Sequence, residues 1–217
     1  MDQLDAVRSY KDRIRIFFIL YYFSEPFIDP IRPEAVRVFR TETRIQKIDF
    51  LLRNPDYLAY ELLLQAKGDE RKKDEVKAIV KQIFNDQEPL LKRLEMEKFF
   101  FGAYEDIDDV VAFLKGIKFI DFTSKKSRDF KTIDKQYFIM KAAEEKVNSA
   151  LAGMPNIHWY EDRCKLIAKY FGDLSGSQLK VNQYRVDEYR DTSYHQYIGT
   201  IEQTVKTDFS KLYNEIL

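Results

Sequence analysis

The chain has 217 residues, enough for one large domain or for one domain with an appendage. Hydrophobic residues make up 45% and charged residues 33%, which supports a buried core and argues against a disordered chain. Thirty-six basic residues balance thirty-six acidic ones, so no global field draws the protein to nucleic acid or to an anionic membrane. With only seven glycines and six prolines, the composition predicts long helices and few hairpins.

The first third of the chain reads as helices separated by a proline-rich loop. Apolar residues at helical spacing predict a first helix that stops near 24–26, before an extended loop over 27–33. A second helix is predicted to end at Arg53-Asn54-Pro55, and Asp56 to cap a third. The charge-rich stretch 67–81 indicates an exposed helix.

In the middle of the chain, the spacing of apolar residues changes from helical to alternating. After a further helix over 90–96, Asp106 is expected to cap a short helix closed by Gly116. Alternating residues then predict two strands joined by a basic tip, and a helix follows. These segments are a strand at 117–122, the tip at 123–131, a second strand at 133–140 and a helix at 141–151.

Helix, strand, basic tip, strand and helix is the order of a winged helix. We therefore expect a mainly α protein with a small β-hairpin, in which an α+β winged-helix core carries helical extensions at both ends. The predicted divisions are an N-terminal helix and loop (1–43), a winged-helix domain (44–151) with a charged helical insertion (67–100), and a C-terminal helical segment (152–217).

The basic tip is the candidate nucleic-acid contact. Lys125, Lys126, Arg128 and Lys131 are placed to meet a phosphate backbone. The helix before the tip does not suit DNA, because the carboxylates of Glu105, Asp106, Asp108 and Asp109 would face phosphates where base contacts are normally made. These acids favour a protein-binding winged helix over one that reads a DNA sequence.

The sequence predicts no catalytic residue, no metal site and no cofactor. His158 and His195 have no second ligand at metal-binding spacing. Cys164 has helical spacing to Ile167, which is typical of a core residue, although Arg163 and Lys165 could lower its pKa. An enzyme built around Cys164 or a histidine stays an alternative hypothesis.

Location and contact surfaces also follow from the residues. A lone cysteine fits a reducing compartment, and the apolar stretch 14–23 spans about half of what a membrane helix needs. We expect a cytoplasmic protein with no membrane contact.

Aromatic residues in the last third are the strongest candidates for partner contact, and residues 99–101 form another apolar run. The candidates are Tyr184, Tyr189, Tyr194 and Tyr197.

Three stretches together resemble a known family. They are Arg-Ile-Gln-Lys-Ile-Asp-Phe-Leu-Leu-Arg-Asn-Pro-Asp-Tyr-Leu (44–58), the winged segment (106–151), and Gly-Asp-Leu-Ser-Gly-Ser-Gln-Leu-Lys-Val-Asn-Gln-Tyr (172–184). In this order they are similar to the middle components of bacterial three-component ABC systems, the group that includes the small subunit of Lamassu-type defence complexes.

The resemblance implies a non-enzymatic adaptor. Such subunits lie between an SMC-like ABC ATPase, which senses DNA, and an effector that is often a nuclease, in defence against phage or plasmids. Contact with DNA would be non-specific and would be made through the complex. Leu179, Lys180 and Tyr184 lie in the matching motif and Tyr189 lies close to it, so these are the predicted partner contacts. The rival interpretation is a dimeric winged-helix transcriptional regulator that binds DNA.

Overall fold

A computed structural model describes residues 3–100, 102–126, 132–149 and 155–217. It is mainly helical, with a small antiparallel sheet. The helices are α1 (Gln3–Tyr22), α2 (Glu42–Arg53), α3 (Pro55–Gly68), α4 (Lys73–Asn85), α5 (Glu88–Leu91), α6 (Asp108–Gly116), α7 (Lys141–Ser149), α8 (Pro155–Phe171), α9 (Gly176–Arg185), α10 (Asp187–Asp191) and α11 (Glu202–Tyr213), with a 3-10 turn at Glu70–Lys72. The strands are β1 (Glu25–Pro26), β2 (Ala35–Arg40), β3 (Lys98–Phe99), β4 (Gly102–Ala103), β5 (Ile120–Lys126) and β6 (Thr132–Met140). None of the helices in these ranges is long and apolar enough to cross a membrane.

The chain folds into two compact units. Residues 1–49 and 106–176 form the first, called the sheet unit here, and residues 50–105 and 177–217 form the second, called the helical unit. The chain therefore leaves the sheet unit within α2 and returns to it just before α6. Each of the sequence segments 44–151 and 152–217 contributes to both units.

The sheet unit is built on four antiparallel strands in the order β1-β2-β6-β5. The predicted strand over 133–140 is confirmed as β6, which pairs with β5 as a hairpin. β2 was not predicted, because 1–43 was read as a helix and a loop. Its partner is β6, with Phe39 opposite Tyr137, so its strand identity depends on residues about a hundred positions later.

The predicted first helix is confirmed as α1, which packs against α6 and α8. Its apolar stretch is buried, as Ile16, Phe18 and Leu20 illustrate. The charge within this stretch, Arg15, is buried as well. Arg15 is paired, because its Nε donates to Asp49 Oδ1 at 2.5 Å and its Nη1 to Asp12 Oδ1 at 2.7 Å. Two carboxylates thus compensate the cost of burying the guanidinium.

Two predicted boundaries in the middle of the chain are wrong. The strand predicted from Ile117 begins at Ile120, because the turn after α6 continues through a hydrogen bond from Phe119 N to Leu114 O and a positive φ at Lys118. The helix predicted over 90–96 is only the short α5, because Leu94 N donates instead to Arg53 O at 2.9 Å.

In the helical unit, α3 packs against α4 and α11. The predicted helix after Arg53-Asn54-Pro55 is confirmed, but its cap is not Asp56. The N-cap position is Asn54, and Asp56 lies in the first turn, where it is fully buried. The charge-rich stretch 67–81 is helical from Lys73 and presents a solvated face, while its apolar residues Val76 and Val80 are buried.

Glu61, on α3, makes the stability of the helical unit depend on pH. It is 5% exposed, and burial raises its pKa from 4.5 to about 7, although Arg185 opposes the shift. The folded state therefore keeps the proton between these two values, whereas the unfolded state releases it. The stabilisation is complete below about pH 4.5 and is lost as the pH rises through about 7.

We expect the Glu61→Gln variant to be less sensitive to pH than the native chain. From about pH 5 to about pH 8, the free energy of unfolding of the native chain should fall by roughly 2–3 kcal/mol more than that of the variant. Urea unfolding at both pH values measures this difference. The exposed Glu70→Gln variant serves as the control, and a parallel fall for native and Glu61→Gln proteins would contradict the assignment.

Candidate partner-binding surface

Lys98 is the centre of a surface in the helical unit. Although it is a lysine, it is 3% exposed. Its Nζ donates three hydrogen bonds, to the carbonyl oxygens of Tyr189 (2.8 Å), Arg190 (2.6 Å) and Thr192 (2.7 Å). These carbonyls close the C-terminal end of α10, where helix backbones lack internal donors and where a positive charge is favourable. Lys98 therefore holds α10 and the segment after it in place.

Backbone pairing fixes the two segments that carry the surface. Lys98 N donates to Gln196 O at 2.9 Å and His195 N donates to Lys98 O at 2.8 Å, while Ile198 N donates to Met96 O at 3.0 Å. A β-bridge between Glu97 and Tyr197 continues this antiparallel pairing. The β3–β4 hairpin then turns at the position of Phe100, so a short loop stands on a hydrogen-bonded base.

Aromatic side chains extend outward from this base. We call them the aromatic surface, which consists of Phe99, Phe100, Tyr104, Tyr194, His195 and Tyr197. Phe100 is 70% exposed, Tyr194 55% and Tyr197 62%. The rings contact one another, with centroids 6.1 Å apart for Phe100 and Tyr194, and 5.1 Å for Phe99 and Tyr104. Large exposed rings held by neighbouring rings are what protein interfaces favour.

His195 is a member of this surface and pairs with a carboxylate. Its Nδ1 lies 2.8 Å from Glu97 Oε1, and its ring meets Phe99 edge to face with centroids 5.4 Å apart. His195 has a positive φ of 63°, and it lies in the turn that a hydrogen bond from Gln196 N to Ser193 O closes at 3.3 Å. Across the described parts of the chain, no group of three or more His, Cys, Asp or Glu side chains is placed to hold a metal ion.

The predicted partner contacts divide into buried and accessible residues. Leu179 and Tyr189 are buried, which removes both side chains from the surface and corrects their assignment as contacts. Tyr189 packs edge to face against Phe50, and its hydroxyl accepts a hydrogen bond from Ala103 N at 2.8 Å. Lys180 and Tyr184 are half-buried, and contact through them stays a prediction. Tyr184 adjoins Tyr189, with ring centroids 5.1 Å apart.

The predicted nucleic-acid contacts belong to the β5–β6 hairpin of the sheet unit. Lys125 is exposed on β5, opposite Asp134 in the register. Lys126 ends β5, but its side chain, like Arg128 and Lys131, lies outside what the structure describes. Lys135, another basic residue near the tip, is engaged with Glu42 and lies 3.3 Å from Asp108. Asp106, Asp108 and Asp109 at the start of α6 are exposed.

Cys164 and His158 lie in the sheet unit. The prediction that Cys164 is a core residue is confirmed, since it is fully buried on α8. The pKa of the thiol is nevertheless raised and not lowered, because burial, with a contribution from the nearby Asp49, outweighs the lowering effect of Arg163. His158 is half exposed, with Nδ1 3.6 Å from Glu161 Oε2.

Sequence reasoning identified the aromatic surface only in part. Tyr194 and Tyr197 were predicted as contacts, and Phe99 and Phe100 were noticed as an apolar run. Lys98 was missed, because a lysine in a charged stretch gives no sign of burial. Comparisons with protein-family models, with curated proteins and with solved structures found no match for this chain.

Proposed function

We propose that the chain is a non-catalytic adaptor that joins an SMC-like ABC ATPase to an effector, often a nuclease, in a cytoplasmic defence system against phage or plasmids. The observation that carries the adaptor role is the aromatic surface, which exposes large rings on a hydrogen-bonded base. The class of partner comes from the sequence resemblance to the middle components of three-component ABC systems.

The aromatic surface suits binding because it is organised before a partner arrives. Phe100 stands on the β3–β4 hairpin, and Tyr194 follows the segment that Lys98 holds by three hydrogen bonds. A partner that meets fixed rings loses little conformational entropy in ordering them. Phenylalanine and tyrosine also bury large areas for few rotatable bonds.

We further propose that the sheet unit is a winged helix with residues 50–105 inserted in it. The strand order β2-β6-β5 supports this proposal, because it joins the wing hairpin to a strand near the start of the chain. In this arrangement α1, α2 and α6 supply the three helices, and α1 contacts α6, β2 and β6. The proposed wing is the β5–β6 hairpin.

A DNA-binding regulator is the second candidate, and the exposed Lys125 on β5 favours it. The exposed carboxylates of Asp106, Asp108 and Asp109 oppose it, since they would approach phosphates at short range. We therefore propose non-specific backbone contact at most for this hairpin, made within the assembled complex.

Removing two rings should detach the partner. In the native host, a tagged full-length chain is expected to co-purify with an ATPase that has coiled-coil arms. The Phe100→Ala/Tyr194→Ala double variant should recover that ATPase at least roughly tenfold less well, because central aromatic residues dominate interface energies. Quantitative mass spectrometry of the ATPase-to-bait ratio measures the loss.

Two controls separate this result from misfolding and from the rival function. Leu90→Ala removes an apolar side chain of similar exposure, 75%, from the same unit and should leave recovery unchanged. Lys125→Glu should also leave the assembly intact. If Lys125→Glu abolishes a salt-sensitive DNA complex while no ATPase is recovered with any variant, the regulator is correct and the adaptor is not.

A further inference from the structure

We infer that the aromatic surface binds a cationic segment, one that presents arginine side chains from the partner. This inference rests on the proposed function, because it specifies the chemistry of the partner at the same surface. Its support comes from the charges on the segments that carry the rings and from a buried lysine that lies beside one of them, Tyr194.

The segments that build the surface are acidic. Residues 95–105 and 187–197 contain six acidic and two basic residues, and Arg53 adds a third positive charge by pairing with Glu105 at 2.7 Å. The acidic residues are Glu95, Glu97, Glu105, Asp187, Glu188 and Asp191, and the basic ones are Lys98 and Arg190. Together with Arg53, the two segments that carry the rings therefore have an excess of three negative charges, although the whole chain has a net charge of zero.

Lys98 places a cation beside one ring of the aromatic surface, Tyr194, and beside two rings beneath it, Tyr184 and Tyr189. Its Nζ lies 5.7 Å from the ring centroid of Tyr184, 5.9 Å from that of Tyr189 and 6.0 Å from that of Tyr194. These distances fall within the range of cation–π attraction. Tyr194 has more than half of its surface left for an incoming group, and Phe100 adds a second exposed ring beside it.

Arginine fits this site better than lysine does. Its planar guanidinium can stack on an exposed ring while its N–H groups reach a carboxylate at the edge. Glu95 and Asp191 are exposed carboxylates on the two segments, and both oxygens of Asp191 already accept from one guanidinium, that of Arg190, at 2.8 and 2.9 Å. The negative surface disfavours a phosphate backbone, and a second copy would bring like charges together.

Fluorescence anisotropy with defined peptides tests the inference. The probes are a fluorescein-labelled arginine–serine–glycine peptide and its counterparts with lysine or glutamate in place of arginine, added to the full chain. We expect saturable binding that is tightest for arginine, weaker for lysine and absent for glutamate, and that declines with added salt. The Phe100→Ala/Tyr194→Ala variant should bind the arginine peptide roughly tenfold more weakly.

The Glu95→Gln/Asp191→Asn variant should weaken the arginine peptide severalfold, while Leu90→Ala should not. Equal binding of the glutamate peptide, or full binding by the Phe100→Ala/Tyr194→Ala variant, would overturn the inference. So would a loss of self-association in that variant, measured by sedimentation, because the occupant would then be a second copy.

The peptide assay tests the cationic segment and the co-purification tests the adaptor role, so either claim can be refuted without the other. If no peptide binds but Phe100→Ala/Tyr194→Ala still loses the ATPase, the cationic segment is wrong and the adaptor role stands. If the arginine peptide binds through the rings but the ATPase is recovered equally with that variant, the cation site stands and the ATPase is not its partner.

Discussion

Replacing Arg93 by alanine is expected to lower the free energy of unfolding by about 3–5 kcal/mol, the cost of leaving a buried charge without its partner. Asp56 is fully buried, and Arg93 Nη1 donates to its two carboxylate oxygens at 3.0 and 2.9 Å. Asp56 also accepts hydrogen bonds from Thr200 Oγ1 at 2.9 Å and from Ile201 N at 2.8 Å. The pair thus ties the start of α3 to the segment before α11.

The same substitution removes two further bonds. Arg93 Nη2 donates to the carbonyl oxygens of Ile198 (2.6 Å) and Gly199 (2.8 Å), so both would lose a donor. Urea unfolding followed by circular dichroism measures the loss. The matched control is Lys67→Ala, which breaks an ion pair of similar length (2.8 Å, to Asp208) with a 40% exposed lysine and should cost less than about 1 kcal/mol. Equal losses for the two variants would show that the Arg93–Asp56 pair is not the stabilising element that its burial indicates.

Lys98→Met should destabilise the helical unit by about 3 kcal/mol, because three buried or partly buried hydrogen bonds from a charged donor to backbone carbonyls at the end of α10 are lost. Methionine has nearly the same length, so the loss reports the ammonium group and not the volume. The variant should also recover less of the ATPase, since Tyr194 follows directly on the segment that Lys98 holds.

Lys211→Met on α11 is the control for this experiment, because Lys211 is exposed. Unfolding in urea and recovery of the ATPase are measured on the same preparations. If Lys98→Met unfolds at the same urea concentration as Lys211→Met, the three hydrogen bonds do not organise the aromatic surface. If it is destabilised but recovers the ATPase in full, the base of the surface is not needed for binding.

Local periodicity was enough to predict several elements. α1, α2, α3 and the β5–β6 hairpin follow from apolar spacing and from prolines near their ends, because these signals act between residues close in sequence. The burial of Cys164 was predicted in the same way. α5 was predicted too long, since the hydrogen bond from Leu94 N to Arg53 O joins residues 41 positions apart in the numbering and has no local signal.

The predicted partner contacts show that local spacing does not determine which tyrosines are exposed. Tyr189 and Tyr194 both lie in a polar stretch and look alike in the sequence. Phe50 and Tyr57 pack on Tyr189 and bury it, whereas Tyr194 keeps 55% of its surface exposed. Only the packing of distant residues separates a core tyrosine from a surface one.

By itself, the sequence determined a helical chain with a basic hairpin, an aromatic excess and a balanced charge, since composition and short-range spacing carry these properties. The tertiary structure alone decided that β2 joins the sheet, that Lys98 is buried beneath the aromatic surface and that Asp56 is a buried partner of Arg93. Each of these depends on hydrogen bonds or ion pairs between residues far apart in the chain. Their energy arises only when folding brings the partners together and removes them from water.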